Sequence, residues 1–219
     1  MIFWLAELQS ATDLDGTRSL LTREEALFFA RLSGELRRGE WLLGRSLAKQ
    51  LVQRYCEVTK QPVPDRRAIG ILPSASGAPM VYLDGTPQPI ALSISHSHGA
   101  GFCALTPAPG LRIGADIERI TTRDESFLLD FFTDGERQTV SASAMETRTT
   151  IATAIWSARE AYYKAVGTGL PLRQGAVEVV AERIPGAEWT PFALRNTDEG
   201  EYEGSWRVWN GYVLAVVTG

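Results

Sequence analysis

Apolar residues recur at three- and four-residue intervals from Arg38 to Val58 and again from about Thr147 to Val166. That spacing lines one side of a helix, so the pattern predicts two long helices. Pro62 and Pro64 stop the first, while Gly167 and Gly169 suit the left-handed position just past the end of the second. Shorter helical stretches are expected at Arg23 to Leu32, Glu125 to Phe132 and Thr133 to Ser143. Between them lie β-favouring runs: Ile2 to Leu8, Pro79 to Leu83, Ile90 to Ser95 and Phe102 to Thr106, then Leu111 to Glu118, Ala176 to Ile184, Trp206 to Trp209 and Tyr212 to Val217. The segment Thr106-Pro107-Ala108-Pro109-Gly110 is the expected joint, because nothing periodic bridges it. The order of elements repeats loosely on either side. The chain therefore reads as α+β, with one half over 1–108 and another over 109–219, each a small, mainly antiparallel sheet packed with helices.

With 44% apolar residues over 219 positions, a folded core is expected rather than a disordered chain. The opening run MIFWLAELQ lacks a basic start and is broken by Glu7 and Gln9, unlike a secretion signal. No stretch approaches the roughly 20 apolar residues of a membrane helix. A cytoplasmic protein is the expectation. Cys56 and Cys103 show neither CxxC spacing nor partnering histidines, so both read as core residues in a reducing compartment. The formal charge of −4, with no Lys/Arg-rich stretch interleaved with aromatics, speaks against nucleic acid as a partner. The first half carries 11 basic and 10 acidic residues and the second 11 basic and 16 acidic. Any anion must be gripped locally.

Four segments carry candidate chemistry. In Gly114-Ala115-Asp116-Ile117-Glu118, strand alternation puts Asp116 and Glu118 on one face, framed by Ile113, Ala115 and Ile117. Two carboxylates that close are unfavourable unless a proton or cation neutralises them, and magnesium, which prefers oxygen ligands, is a natural answer. Asp13/Asp15, Glu199/Glu201 and Glu201/Glu203 share the spacing but lie in polar, turn-like surroundings. In Trp156-Ser157-Ala158-Arg159-Glu160-Ala161-Tyr162-Tyr163-Lys164, Glu160 and Lys164 share a helix face, as an ordinary surface pair would. Their helix is otherwise substantially apolar, so that face can also look into a cleft. The strand end Leu92-Ser93-Ile94-Ser95-His96-Ser97-His98 delivers hydroxyls and the chain's two histidines. Arg38, Arg45 and Lys49 are spaced for one side of a helix, beside Arg37, and on spacing alone a solvated face explains them. No GxxxxGK[ST] loop is present.

These segments, in order, resemble the motifs of the phosphopantetheinyl transferase superfamily, and the length resembles its larger, Sfp-type branch. The resemblance rests on Ser76-Gly77-Ala78-Pro79, Ser93-Ile94-Ser95-His96-Ser97, Gly114-Ala115-Asp116-Ile117-Glu118, Phe131-Phe132-Thr133 with Glu136, and Trp156-Ser157 through Arg159-Glu160-Ala161 to Lys164. It implies a pseudo-twofold monomer with coenzyme A in a cleft between its halves. The activity it implies is transfer of the 4′-phosphopantetheine group to a serine of an apo acyl- or peptidyl-carrier protein, with release of 3′,5′-ADP. By the same resemblance Asp116, Glu118 and Glu160 would bind magnesium and Lys164 a phosphate oxygen. Ser95 and His96 would approach the 3′-phosphate and pyrophosphate, and Arg45, with Arg37 or Arg38, the nucleotide phosphates. Asp116, Glu160 and Lys164 form the implied catalytic set, with Glu160 as base directly or through a metal-bound water. Gly167 to Leu170 resembles the family's glycine-containing segment, and the stretch Ile120 to Met145 is the expected contributor to the carrier-facing rim. Ala78 departs from the family, whose members often carry a basic residue there.

Overall fold

The computed structural model describes residues 1–8, 14–167, 177–181, 183–195 and 201–219. It contains two units, Met1–Leu111 and Arg112–Gly219. The first contains β1 (Phe3–Leu8), α1 (Leu14–Arg18), α2 (Arg23–Ala30), α3 (Glu35–Val58), β2 (Ile69–Pro73), β3 (Pro79–Leu83), β4 (Thr86–Ser97) and β5 (Ala100–Thr106). The second contains β6 (Ile113–Arg119), α4 (Glu125–Phe131), α5 (Asp134–Ala142), α6 (Met145–Val166), β7 (Glu178–Val180), β8 (Thr190–Arg195), β9 (Glu203–Trp209) and β10 (Tyr212–Thr218). Each unit is one five-stranded sheet with helices, in the orders β1-β5-β4-β3-β2 and β6-β10-β9-β8-β7, and every pairing is antiparallel. The first strand of each unit thus pairs with its last, so both sheets have the same strand order. The fold class is α+β.

Two of these strands are absent from the hydrophobic pattern. Strand β2 is the short Ile-Gly-Ile-Leu-Pro and β8 opens Thr-Pro, so glycine and proline mask the strand signal in both. Their neighbours supply the missing hydrogen bonds, β2 from β3 and β8 from β9 and β7. The strand expected as far as Ile184 ends at Val180, and its expected start at Ala176 lies outside the described residues. Strand β4 runs from Thr86 to Ser97, longer at both ends than the alternating Ile90 to Ser95. The turns after it and after β9, His98-Gly99 and Asn210-Gly211, have positive φ at both residues, as tight hairpins require.

The long helices supply the core because their apolar positions fall on one side. In α3, Leu43, Leu47, Leu51 and Val52 pack with Ile69, Ile71, Cys103 and Leu105 of the sheet. In α6, Ile151, Ala154, Ile155, Ala158, Ala161 and Tyr162 pack with Phe132, Trp206, Val213 and Ala215. Burying each such Leu or Ile side chain stabilises by about 1.5–3 kcal/mol. Both cysteines are buried, unpaired core residues.

A polar device also recurs in both units. Thr22 caps α2 in a capping box with Glu25, and Thr133 caps α5 in a capping box with Glu136. Each glutamate is fully buried and meets a cation of the long helix at 2.7 Å, Glu25 with Lys49 and Glu136 with Arg159. Each also accepts a backbone N–H from the sheet, Glu25 from Ile71 at 3.0 Å and Glu136 from Val179 at 2.8 Å. Lys49 is consequently no part of a solvated arginine face. Its Nζ donates to Glu25, to the Leu20 carbonyl and to the Arg66 carbonyl, and burial lowers its pKa from the usual lysine value. The sequence spacing placed it beside Arg45, but the pull of a buried carboxylate turned it inward.

Candidate active site

In the second unit, β6 and α6 face each other. Gly114 permits the close approach: a Cβ there would overlap the Ala161 carbonyl oxygen and lie 2.6 Å from the Ala165 nitrogen. With the backbones this near, alternation along β6 turns Ile113, Ala115 and Ile117 into buried positions and sets Asp116 and Glu118 within reach of the polar side of α6.

Asp116 is buried, and Lys164 Nζ donates to its Oδ1 at 2.7 Å while Ser157 Oγ meets Oδ2 at 2.9 Å. Lys164 also donates to the Ala115 carbonyl at 3.3 Å. The lysine's ion-pair partner is therefore the strand carboxylate, not Glu160 four residues back on its own helix. Glu118 is half-buried; Trp156 Nε1 donates to its Oε1 at 3.2 Å and Arg123 to its Oε2 at 3.3 Å. Burial first, then the charge of Asp116, pushes its carboxyl above the ordinary glutamate value, with Arg123, Trp156 and Lys164 opposing.

Glu160 stands beside this pair, and no ion pair or side-chain hydrogen bond reaches it among the described residues. Burial, then Asp116, push its carboxyl up to about 7; Lys164 opposes and Glu118 adds to the rise. Three carboxylates thus share too little positive charge, which favours the protonated form of Glu160 over a higher pH range than an ordinary glutamate. That surplus of oxygen donors is the chemistry a hard divalent cation offsets, so the residue types fit magnesium. Among the described residues, however, no three His, Cys, Asp or Glu side chains converge as a ready ligand set. Lys164, Ser157, Arg123 and Trp156 occupy the oxygens of Asp116 and Glu118 instead.

The raised pKa has a thermodynamic consequence with a definite sign. A carboxyl whose folded value exceeds its unfolded 4.5 favours folding fully below pH 4.5, and that contribution is lost as pH climbs through about 7. Thermal melts in chelator should show wild type losing stability relative to Glu160→Gln between pH 5 and 8, the two converging at low pH. Parallel curves would mean that Glu160 titrates normally.

The remaining expected residues lie in the first unit. Gly44 on α3 meets Ile94 of β4, since a Cβ there would come within 2.9 Å of the Ile94 side chain. Across the same junction Glu40 Oε2 lies 3.5 Å from His96 Nδ1. Ser95 is buried and His96 exposed. Arg45 lies with its guanidinium 4.3 Å from the Trp41 ring centre, and its buried Nε has no hydrogen-bond partner. Burial lowers its pKa to about 10 against the raising charges of Glu25 and Cys103. Arg38, exposed, lies over Phe29 at 5.0 Å, and Arg37 is exposed on the same helix. Ala78 closes a turn in which the Ser74 N–H donates to its carbonyl at 2.8 Å. Gly169 and Leu170 of the expected glycine segment, and Asp13 and Glu199 of the other acidic pairs, lie outside the described residues.

Several participants escaped sequence reasoning. Ser157 was within reach, one turn before Glu160 and two before Lys164 on the same side of α6. Glu40 and Arg123 gave no signal, for each meets its partner only through tertiary packing.

Residues 112–217 match the family profile described as the 4′-phosphopantetheinyl transferase superfamily. The chain is 29% identical over 126 residues to the 4′-phosphopantetheinyl transferase gsp of Aneurinibacillus migulanus, a match covering 58% of this chain. The matched stretch spans 49%, about half, of that relative's length. A holo-(acyl-carrier-protein) synthase from Bacillus anthracis, solved in complex with CoA (3′,5′-ADP), is similar at 25% identity and a TM-score of 0.41, covering 49% of this chain and 93% of that one. The stretch that matches the 4′-phosphopantetheinyl transferase superfamily profile, residues 112–217, is the one that holds Asp116, Glu118, Glu160 and Lys164.

Proposed function

We propose that this protein is a transferase that moves the 4′-phosphopantetheine group of coenzyme A onto a serine hydroxyl of an apo acyl- or peptidyl-carrier protein, with magnesium as cofactor. It acts as a cytoplasmic monomer. The observation that carries this reading is the cluster of Asp116, Glu118, Glu160 and Lys164 inside the stretch that matches the superfamily.

Asp116, Glu118 and Glu160 are the residues that would hold a magnesium ion, which would supply positive charge to offset that of the pyrophosphate oxygens. The carrier serine oxygen bonds to the phosphorus bearing pantetheine, the phosphorus–oxygen bond to the nucleotide breaks, and 3′,5′-ADP leaves. Lys164, held at the mouth of the cluster by Asp116, supplies positive charge to a phosphate oxygen in surroundings drier than bulk water, where such charge acts more strongly. Glu160 takes the serine proton, directly or through a water. Its carboxyl near 7 suits an acid–base group at neutral pH. In the first unit, Arg45, Arg38, Ser95 and His96 are the candidates for binding phosphate oxygens. The buried, unpartnered Arg45 Nε supports an anion as its missing acceptor.

The test is incubation with coenzyme A, magnesium and a panel of apo-carriers, read as mass gain on the carrier. Wild type should modify at least one carrier, and Glu160→Gln should slow modification by about 100-fold or more. Near wild-type turnover in the variant would remove Glu160 from the chemistry. Nucleotide binding with no carrier modified would leave a coenzyme A-binding module instead.

A further inference from the structure

We propose that Arg123 is a place-holding cation for Glu118, competing with a divalent metal for the same carboxylate oxygen and yielding when the metal binds. This rests on the reading of Glu118 as a metal ligand. Arg123 reaches Glu118 Oε2 through one nitrogen at 3.3 Å, both side chains being about one-fifth exposed. The second arginine–glutamate pair of this unit has a different character. Arg159 meets Glu136 at 2.7 Å with both side chains buried, and the glutamate's remaining bonds go to the backbone of Thr133 and Val179. That pair is saturated and structural. Arg123 leaves its own Nε buried without a hydrogen-bond partner, so its position beside Glu118 is one in which the guanidinium is incompletely satisfied.

The arginine also has somewhere to remain. Its guanidinium carbon lies 4.8 Å from the Phe127 ring centre and 5.9 Å from that of Trp156, and Phe127 and Trp156 pack edge to face at 4.9 Å. Phe131 extends this aromatic wall against Trp156 at 5.4 Å. A guanidinium released from Glu118 can keep its contact with the Phe127 face, so giving up the carboxylate costs it one hydrogen bond rather than its whole environment. Trp156 behaves oppositely. Its indole donates to the other oxygen, Oε1, and fixes the carboxylate plane while Oε2 changes partner. Arg123 is thus a positioning residue that sets how much metal the site needs, and it keeps Glu118 aimed until the metal arrives.

The test is a Mn²⁺ titration in the presence of coenzyme A, with free Mn²⁺ read by electron paramagnetic resonance, on wild type, Arg123→Gln, Arg123→Lys and Glu118→Gln. Arg123→Gln should bind Mn²⁺ about two- to five-fold more tightly than wild type, the range of a partly exposed ion pair. Arg123→Lys, which keeps the charge, should fall between them, and Glu118→Gln should bind most weakly. Thermal melts confirm that each variant is folded. Unchanged or weaker Mn²⁺ binding in a folded Arg123→Gln, with Glu118→Gln still impaired, would overturn the place-holder alone. Mn²⁺ binding indifferent to Glu118→Gln would overturn the metal assignment and the place-holder with it.

Discussion

Gly114→Ala should destabilise the second unit by roughly 3 kcal/mol or more, at or beyond the upper end of what one added methyl usually costs a packed interior. The reason is what the methyl meets. It would overlap the Ala161 carbonyl oxygen and crowd the Ala165 nitrogen, both backbone atoms of α6 that have no rotamer to adopt. The same addition elsewhere meets softer neighbours: at Gly101 it would press on the flexible ends of Leu43 and Leu47, and a smaller loss is expected there. Relief at Gly114 requires α6 to move away from β6. That motion separates Lys164 from Asp116, a 2.7 Å contact, and Trp156 from Glu118, a 3.2 Å one. Any Gly114→Ala protein that remains folded should therefore lose activity together with stability. Thermal melts and carrier modification, measured at a temperature where the variant is folded, check both parts. A melting temperature within a degree of wild type would show that the strand and helix are less tightly apposed than the structure has them.

The legible part of this architecture and the illegible part divide along physical lines. The two long helices were plain because α3 and α6 each bury one side over more than 20 residues, and a pattern that long outweighs local exceptions. Strands β6 and β10 were plain because buried β-branched and aliphatic residues fill them. Strands β2 and β8 were not, since Gly70, Pro73 and Pro191 interrupt short runs whose place is fixed by neighbours distant in sequence. At the site, alternation put Asp116 and Glu118 on one face of β6, and helical spacing put Glu160 and Lys164 on one side of α6. Spacing within an element cannot say which partner a charge will choose. Lys164 chose Asp116 across the helix–strand junction, Lys49 chose the buried Glu25, and Arg123 chose Glu118. Those choices are set by desolvation and geometry after folding, so only the coordinates display them.

Arg159→Met is the second large effect, because it strands a carboxylate. Glu136 is fully buried; without Arg159 it must hold its charge with only the Thr133 and Val179 N–H groups, or take up a proton. Breaking one side of such a pair costs about 3–5 kcal/mol, whereas replacing both members by apolar groups of similar volume costs far less. Glu136→Leu/Arg159→Met together should accordingly be more stable than Arg159→Met alone. Lys49→Met poses the same problem for Glu25 in the first unit and should lose a similar amount. Because two units need not unfold together, amide exchange locates each effect better than a single melting curve. The Val179 N–H, which donates to Glu136, should exchange faster in Arg159→Met, and the Ile71 N–H, which donates to Glu25, faster in Lys49→Met. Recurrence of the device in a unit without the Asp116, Glu118 and Glu160 cluster argues that it fastens a capped helix and a strand to the long helix rather than serving chemistry. A folded Arg159→Met enzyme should then keep the wild-type pH profile of carrier modification. A shifted profile with unchanged Val179 exchange would make Arg159 instead a residue that tunes its neighbour Glu160.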